Sequence, residues 1–134
     1  MELLPEGQKN NTNVTFEDQQ KINQFSKLIM RKDAIEQELN IQRQEKEYSD
    51  DVSLELELID EDEPVQYKVG VIFLHLKQKE AVEQLEKDME STQGRIDELE
   101  SEQDGLDAQL KELKGILYAK FGDNINLERW KKLL

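Results

Sequence analysis

The feature that most constrains the fold of this chain is an apolar stripe that repeats at alternating spacings of three and four residues. Its positions are Val82, Leu85, Met89, Thr92, Ile96, Leu99, Gln103, Leu106, Leu110, Leu113, Leu117 and Lys120. Nine of these twelve positions are apolar, and the register is unbroken over more than five heptads, which is typical of a coiled coil. Three glycines, Gly94, Gly105 and Gly115, fall off this seam and leave no hole in its packing. The stripe therefore predicts a long helix that needs a partner.

Composition favours long helices over a compact globular core. Of the 134 residues, 36% are hydrophobic and 37% are charged. The net charge of −13 argues against nucleic-acid and anionic-membrane partners, because it offers phosphates no basic face. The absence of cysteine excludes disulfides and thiolate chemistry and slightly favours the cytosol.

The beginning of the first helix is predicted by a capping pattern. Residues 1–13 are polar, lack the features of a signal peptide and are expected to form a flexible tail. Thr15 and Asp18 then fit a capping box, in which each side chain accepts a hydrogen bond from the other residue's backbone. A helix is therefore predicted from Phe16 to Ile59.

This first helix carries a weaker seam than the second. Apolar residues at helical spacing are interrupted by polar ones: Phe25, Leu28, Lys32, Ile35, Leu39, Gln42, Lys46, Tyr48, Val52, Leu56 and Ile59. The segment from Val52 to Leu58 also alternates with period two, which could indicate a strand. Periodicity alone leaves helix and strand open for this segment.

A β-hairpin is predicted between the helices. Pro64 ends the preceding segment, and residues 65–76 are rich in β-branched and aromatic side chains, with Gly70 at the turn. A helix follows from Lys77 to Phe121, with Gly122 as its left-handed cap. Because an isolated hairpin is marginal in water, its strands are expected to pair with strands of other subunits.

The two predicted helices have nearly equal lengths and flank the hairpin, so they are expected to pack antiparallel and bury each other's seams. The predicted fold is mainly α, a long antiparallel helical coiled-coil hairpin with one β-hairpin between its helices. It would occupy residues 14–122, and residues 123–134 would form a second tail.

Three stretches resemble the β-type subunits of eukaryotic prefoldin. They are Val14-Thr15-Phe16-Glu17-Asp18-Gln19-Gln20-Lys21-Ile22-Asn23, then Tyr67-Lys68-Val69-Gly70 followed by Phe73, and Leu117-Tyr118-Ala119-Lys120-Phe121-Gly122-Asp123-Asn124-Ile125-Asn126-Leu127-Glu128. The sequence departs from the family at Val71, where a polar or acidic residue is usual, and at Trp130–Leu134, which extend past the usual end.

The resemblance implies a chaperone of six subunits. Two α-type subunits and three further β-type subunits would be the partners, and the hairpins would join an intersubunit β-barrel. The helix tips would hold unfolded clients, above all actin and tubulin, and pass them to the cytosolic chaperonin without ATP. The resemblance further implies a cytoplasmic location and a helix over Val52–Leu58.

Three groups of candidate residues follow. The expected client-binding tip comprises Phe16, Ile22, Phe25, Leu117, Tyr118 and Phe121, of which Phe16, Tyr118 and Phe121 exceed what two helix ends can bury. The expected assembly residues are Tyr67, Val69, Gly70, Ile72, Phe73 and His75. The coiled-coil seam is represented by Val82, Leu85, Met89, Ile96, Leu99, Leu106, Leu110 and Leu113.

The sequence offers little to an enzyme. His75 is the single histidine and has no cysteine or second histidine to join it, so neither a metal site nor a cofactor is expected. Two alternative functions stay open. One is a structural coiled-coil adaptor without client-holding activity, and the other is an interfacial membrane segment formed by Trp130–Leu134.

Overall fold

The computed structural model describes residues 14–122 of the chain. The elements follow in the order α1 (Phe16–Glu57), β1 (Pro64–Val69), β2 (Ile72–Lys77) and α2 (Gln78–Phe121). Two long helices thus flank a two-stranded antiparallel sheet, and the predicted fold class is confirmed. The tails predicted for residues 1–13 and 123–134 lie outside the described residues.

Helix α1 begins with the capping box that the sequence predicts. The backbone N–H of Asp18 donates to Thr15 Oγ1 at 3.1 Å, and the backbone N–H of Thr15 donates to Asp18 Oδ2 at 3.0 Å. These bonds satisfy donors that a helix N-terminus leaves without intrahelical partners.

The end of α1 settles the ambiguous segment as helix. Residues 52–57 are helical, and Leu56 is buried while Leu54 is exposed. The alternation with period two therefore does not describe a strand. The helix ends at Glu57, two residues before the predicted Ile59, because the last turn tightens: the N–H of Leu58 donates to Glu55 O and that of Ile59 to Leu56 O.

Helix α2 begins one residue later than predicted because the hairpin is longer than predicted. Pro64 pairs with Lys77 at the open end of the sheet, and the N–H of Gln78 donates to the carbonyl of Glu63 at 2.9 Å. At the other end of α2, Gly122 has a φ of 57°. The predicted left-handed cap is therefore present.

The described residues form two compact units. In the first, residues 14–37 pack against residues 100–122, and ion pairs join the helices: Arg31 Nε lies 2.8 Å from Glu102 Oε1, and Lys32 Nζ lies 2.6 Å from Asp107 Oδ1. The Asp18–Lys120 contact at the helix ends and these pairs further along show that the helices run antiparallel.

The second unit comprises residues 38–99. Arg95 Nη2 lies 2.7 Å from Glu38 Oε1. Four buried side chains, Leu56, Tyr67, Ala81 and Leu85, form a core that packs the hairpin against both helices.

The α2 stripe faces the interior along most of its length. Leu85, Ile96, Leu99, Leu106 and Leu110 are buried, and Val82, Met89 and Leu113 are partly buried. At the ends the pattern shifts, and Ala81 and Phe121 are buried, whereas Lys120 is exposed. An α-helix of 3.6 residues per turn drifts by about 20° per heptad against a 3.5-residue repeat, which brings the neighbouring residue inward.

The α1 stripe departs from the predicted seam between residues 46 and 49. Lys46 and Tyr48 were predicted on the seam but are exposed, and Ser49 is the buried residue of this turn. Ser49 lies three residues before Val52, and Val52 lies four residues before Leu56, so all three are on one helix face.

Candidate functional site

The β-hairpin closes through a two-residue turn. Val69 pairs with Ile72, which leaves Gly70 and Val71 as the loop. Gly70 has a φ of 62°, and among the described residues positive φ occurs only at glycines. Positive φ at the first loop position alone is the pattern of a type II′ turn, in which glycine is favoured because it has no Cβ.

The hairpin exposes a cluster of apolar side chains around this turn. We call this cluster, Val69, Val71, Ile72, Phe73 and Leu74, the hairpin patch; all five are exposed, and Val71 is 94% exposed. The register places Val69, Ile72 and Leu74 on one face of the sheet and Phe73 on the other. Apolar groups exposed on both faces of so small a sheet indicate a surface that another protein covers.

Both strands of the hairpin also have an outer edge without a strand partner among the described residues. Each edge presents backbone N–H and C=O groups that can pair with a further strand. The structure therefore places backbone pairing edges and exposed apolar side chains on the same element.

Tyr67 differs from the other residues expected to contact subunits. Its ring is buried in the core of the second unit, and its hydroxyl donates to Asp88 Oδ2 at 2.7 Å. Gln84 Nε2 donates to the second carboxylate oxygen of Asp88 at 3.0 Å. Tyr67 thus fixes the hairpin to α2 of its own chain, whereas Val69, Gly70, Ile72, Phe73 and His75 are exposed.

Burial of Tyr67 and its hydrogen bond to Asp88 together raise the pKa of this tyrosine above its usual range. Both effects disfavour the phenolate, the first by removing water and the second by placing a carboxylate beside the phenol oxygen. The hydroxyl is therefore a permanent donor at neutral pH.

A cleft of about 520 Å³ opens between the hairpin and the helices of the second unit. Val52, Leu56 and Leu85 contribute apolar walls, and Val69 and Phe73 of the hairpin patch also line it. The exposed surface of the hairpin therefore continues into a partly apolar recess.

The first unit contains the residues expected to bind clients, and most of them are buried. Ile22, Phe25, Leu110, Leu117 and Phe121 form one apolar cluster, which we call the tip cluster. Tyr118 is partly buried against it. Phe16 alone of the six expected tip residues is largely exposed, at 77%.

The exposure expected for Phe121 is wrong. Its side chain is 3% exposed, because the drift of the α2 stripe turns it inward and Lys120 outward. The side chains of Leu117 and Phe121 lie four residues apart on the same face of α2, and both reach the tip cluster.

One ion pair joins the beginning of α1 to the end of α2. Lys120 Nζ donates to Asp18 Oδ2, the same oxygen that accepts the Thr15 backbone N–H. Asp18 is only 5% exposed. The Lys120 ammonium and the Thr15 N–H lower the pKa of this carboxyl to about 2, because both stabilise its charged form.

The sequence alone did not identify two side chains that hold the hairpin and the tip in place, Asp88 and Lys120. Asp88 carries the hydrogen bond that orients the hairpin, and nothing in the pattern of α2 distinguishes it from the other acidic residues. Lys120 was assigned to the seam, and a lysine on an apolar seam was the available signal, since a charge there requires a partner.

Within residues 14–122 no group of three or more His, Cys, Asp or Glu side chains is placed to hold a metal ion. None of the helices described for this chain is long and apolar enough to cross a membrane.

The fold and the hairpin patch define a class of protein. The class is that of assembly subunits in which two antiparallel helices carry a β-hairpin with open edges and exposed apolar side chains. A model of the family described as "Prefoldin subunit" matches residues 19–124, and the chain belongs to this family. Prefoldin subunits are chaperones that form complexes with other prefoldin subunits.

Individual relatives agree with this assignment. The chain is 70% identical over 129 residues to prefoldin subunit 4 of Saccharomyces cerevisiae, covering 96% of this chain and all of that protein. It is 39% identical over 117 residues to prefoldin subunit 4 of Homo sapiens, covering 87% of each chain. The prefoldin β subunit from Thermococcus strain KS-1 shares the fold, with a TM-score of 0.70 and 21% identity over 82% of this chain and 96% of that one.

Proposed function

We propose that this chain is a β-type subunit of a hetero-hexameric, ATP-independent chaperone in the cytoplasm. It assembles through its hairpin with two α-type and three further β-type subunits. The complex captures unfolded proteins, including actin and tubulin, at its helix tips and delivers them to the cytosolic chaperonin.

The hairpin patch is the observation that carries this proposal. A two-stranded sheet is marginally stable in water, and this one exposes Val71, Ile72 and Phe73 around its turn. Pairing of its open edges with strands of neighbouring subunits removes both the exposed backbone groups and the exposed apolar area. The 70% identity to prefoldin subunit 4 of Saccharomyces cerevisiae supports the same role.

Native mass spectrometry of the chain mixed with its partner subunits tests the assembly. The double variant Ile72→Ser/Phe73→Ser is expected to lose the hexamer while circular dichroism shows unchanged helix content. The matched control is Leu58→Ser, because Leu58 is 89% exposed in the same unit but lies outside the hairpin. A hexamer that forms equally well with the double variant contradicts assembly through the hairpin.

Client capture is tested by suppression of aggregation of chemically unfolded actin. Phe16→Ser in the assembled complex is expected to weaken suppression, because Phe16 is a large exposed apolar side chain at the tip. Met30→Ser is the matched control, since Met30 is also exposed on α1, at 72%, but lies outside the tip. Equal suppression by the two variants argues against Phe16 as a client contact.

The burial of the tip cluster favours the second candidate, a coiled-coil adaptor without client-holding activity. If four of six tip residues only close the helix pair, the tip has little apolar surface to offer. The aggregation assay separates the two candidates, because an adaptor assembles with its partners but leaves client aggregation unchanged.

A further inference from the structure

The tip of this chain combines an apolar cluster with a charged contact across it. Ile22, Phe25, Leu117 and Phe121 are the type of side chain that binds unfolded polypeptide, but all four are buried between α1 and α2. They become available only when the beginning of α1 separates from the end of α2. The contacts that hold these two helix ends together therefore determine whether the surface is available.

Asp18 and Lys120 form such a contact. Asp18 lies in the first turn of α1 and Lys120 in the last turn of α2, and the ammonium donates to the carboxylate. The Lys120 ammonium also lies 5.5 Å from the centre of the Phe121 ring, within the range of a cation–π interaction. One side chain thus interacts with both the opposite helix and the cluster.

The two members of the pair are unequally buried. The Asp18 side chain is 7% exposed, whereas that of Lys120 is 39% exposed. If Lys120 loses its charge, Asp18 keeps a carboxylate that is shielded from water and has only backbone and hydroxyl partners. Loss of the ammonium therefore leaves a buried carboxylate without its charged partner, which destabilises the closed arrangement, and separation of the helix ends would hydrate this carboxylate.

A second ion pair of the same unit contains no buried carboxylate. Lys32 and Asp107 join α1 to α2 with side-chain exposures of 28% and 48%. The Asp107 carboxylate already contacts water, so loss of Lys32 leaves it hydrated. This pair provides an internal comparison for Asp18 and Lys120.

We propose that the tip cluster is a cryptic binding surface for apolar segments of unfolded proteins, and that the Asp18–Lys120 ion pair is the latch that keeps it closed. This inference rests on the proposed chaperone function and names the surface through which it acts. In the closed state the cluster stabilises the helix ends, and in the open state it contacts the client.

The test compares three variants within the assembled complex: Lys120→Met, the matched control Lys32→Met, and Asp18→Asn. Hydrogen exchange by mass spectrometry is followed in residues 16–25 and 113–122. Lys120→Met is expected to accelerate exchange there roughly tenfold, and to increase the amount of unfolded actin held per complex. Lys32→Met is expected to change neither quantity measurably.

The Asp18→Asn variants test the physical cause. The asparagine side chain introduced by Asp18→Asn still accepts the Thr15 N–H, and the Lys120 ammonium is exposed enough to hydrate. Asp18→Asn is therefore expected to open the tip less than Lys120→Met. The double variant Asp18→Asn/Lys120→Met leaves no buried charge but has also lost the ion pair, so its exchange and client holding are expected to lie between those of the wild type and those of Lys120→Met. Exchange in the double variant as slow as in the wild type would overturn the latch, and exchange as fast as in Lys120→Met would overturn the role of the unpaired Asp18 carboxylate.

The outcomes separate the latch from the proposed function. If the wild-type complex does not suppress client aggregation at all, the chaperone function itself fails. If the wild-type complex does suppress it, and Lys120→Met exchanges faster at the tip without holding more client, the cryptic surface fails and the chaperone function stands.

Discussion

Asp18 lies where the first turn of α1 meets the last turn of α2, and its charge contributes to stability in a pH-dependent way. The Lys120 ammonium and the Thr15 N–H lower its pKa from 3.8 to about 2. A carboxyl group whose pKa is lower in the folded than in the unfolded state stabilises the fold above the unfolded pKa. That contribution is lost as the pH falls from about 4 through about 2.

Thermal unfolding of the wild-type chain and of Asp18→Asn measures this contribution. The wild type is expected to have the higher Tm at neutral pH. The difference is expected to shrink between pH 4 and pH 2, since the protonated Asp18 side chain and the asparagine that replaces it are then both neutral. Glu17→Gln removes the same charge from an exposed side chain of the same turn and corrects for the change in net charge. A difference in Tm that stays constant through this window would contradict the assignment.

Tyr67 and Tyr48 form a second comparison at the scale of single residues. Tyr67→Phe removes the hydroxyl that donates to Asp88 and keeps the buried ring, so the free energy of unfolding is expected to fall by about 1 kcal/mol. Tyr48→Phe is the control because Tyr48 is exposed, and little change is expected. Urea unfolding followed by circular dichroism measures both, and equal effects would exclude a specific role for the Tyr67 hydroxyl.

At the scale of elements, the sequence predicts what depends on local pattern. Helix existence, the capping box at Thr15 and the glycine cap at Gly122 follow from side-chain type and spacing, and the structure contains all three. The observed helix boundaries differ from the predicted ones by one or two residues where individual backbone hydrogen bonds determine them, as the bond from the Gln78 N–H to Glu63 O does. Such bonds leave no trace in periodicity.

The errors at Tyr48 and Phe121 have different causes. Tyr48 was favoured because it is aromatic and lies four residues before Val52, although the step of three residues from Lys46 leads to Ser49, which is the buried residue. At the end of α2 the repeat leads by counting to Lys120, whereas the helix drifts against that repeat and Phe121 lies inward. A lysine at the seam position indicates that a charged partner is needed, but the choice of Asp18 as that partner depends on this shift of the inward position.

The glycines of α2 offer a prediction for the whole helix. A Cβ added at Gly94, Gly105 or Gly115 meets no atom within 4 Å, so alanine fits each site and removes the cost of glycine in a helix. Each substitution is expected to raise the free energy of unfolding by roughly 0.5–1 kcal/mol. Gly122→Ala is the control and is expected to destabilise the chain, because Gly122 has a positive φ. Urea unfolding that shows a loss of stability for the three helical variants would contradict their exposed placement.

At the scale of the whole molecule, charge and assembly are the properties that composition and pattern predict best. The chain carries 31 acidic and 18 basic residues, and because acidic residues are in excess, many exposed carboxylates repel one another. The hairpin prediction depended on a similar global argument, that a lone pair of strands needs partners. Which apolar side chains of the hairpin are exposed, Leu74 among them, could be assigned only from the register of the two strands in the structure.

This charge balance predicts how salt changes stability. Raising the NaCl concentration from about 10 to about 100 mM shortens the Debye length from about 30 to about 10 Å. Screening weakens the ion pairs Arg31–Glu102, Lys32–Asp107 and Arg95–Glu38, but each exposed pair contributes at most about 1 kcal/mol. The repulsion spread over a net charge of −13 is expected to outweigh them, so the Tm of the chain rises with salt. Thermal scans at matched sucrose osmolality control for solvent exclusion, and a Tm that falls with NaCl would show that the interhelical ion pairs dominate.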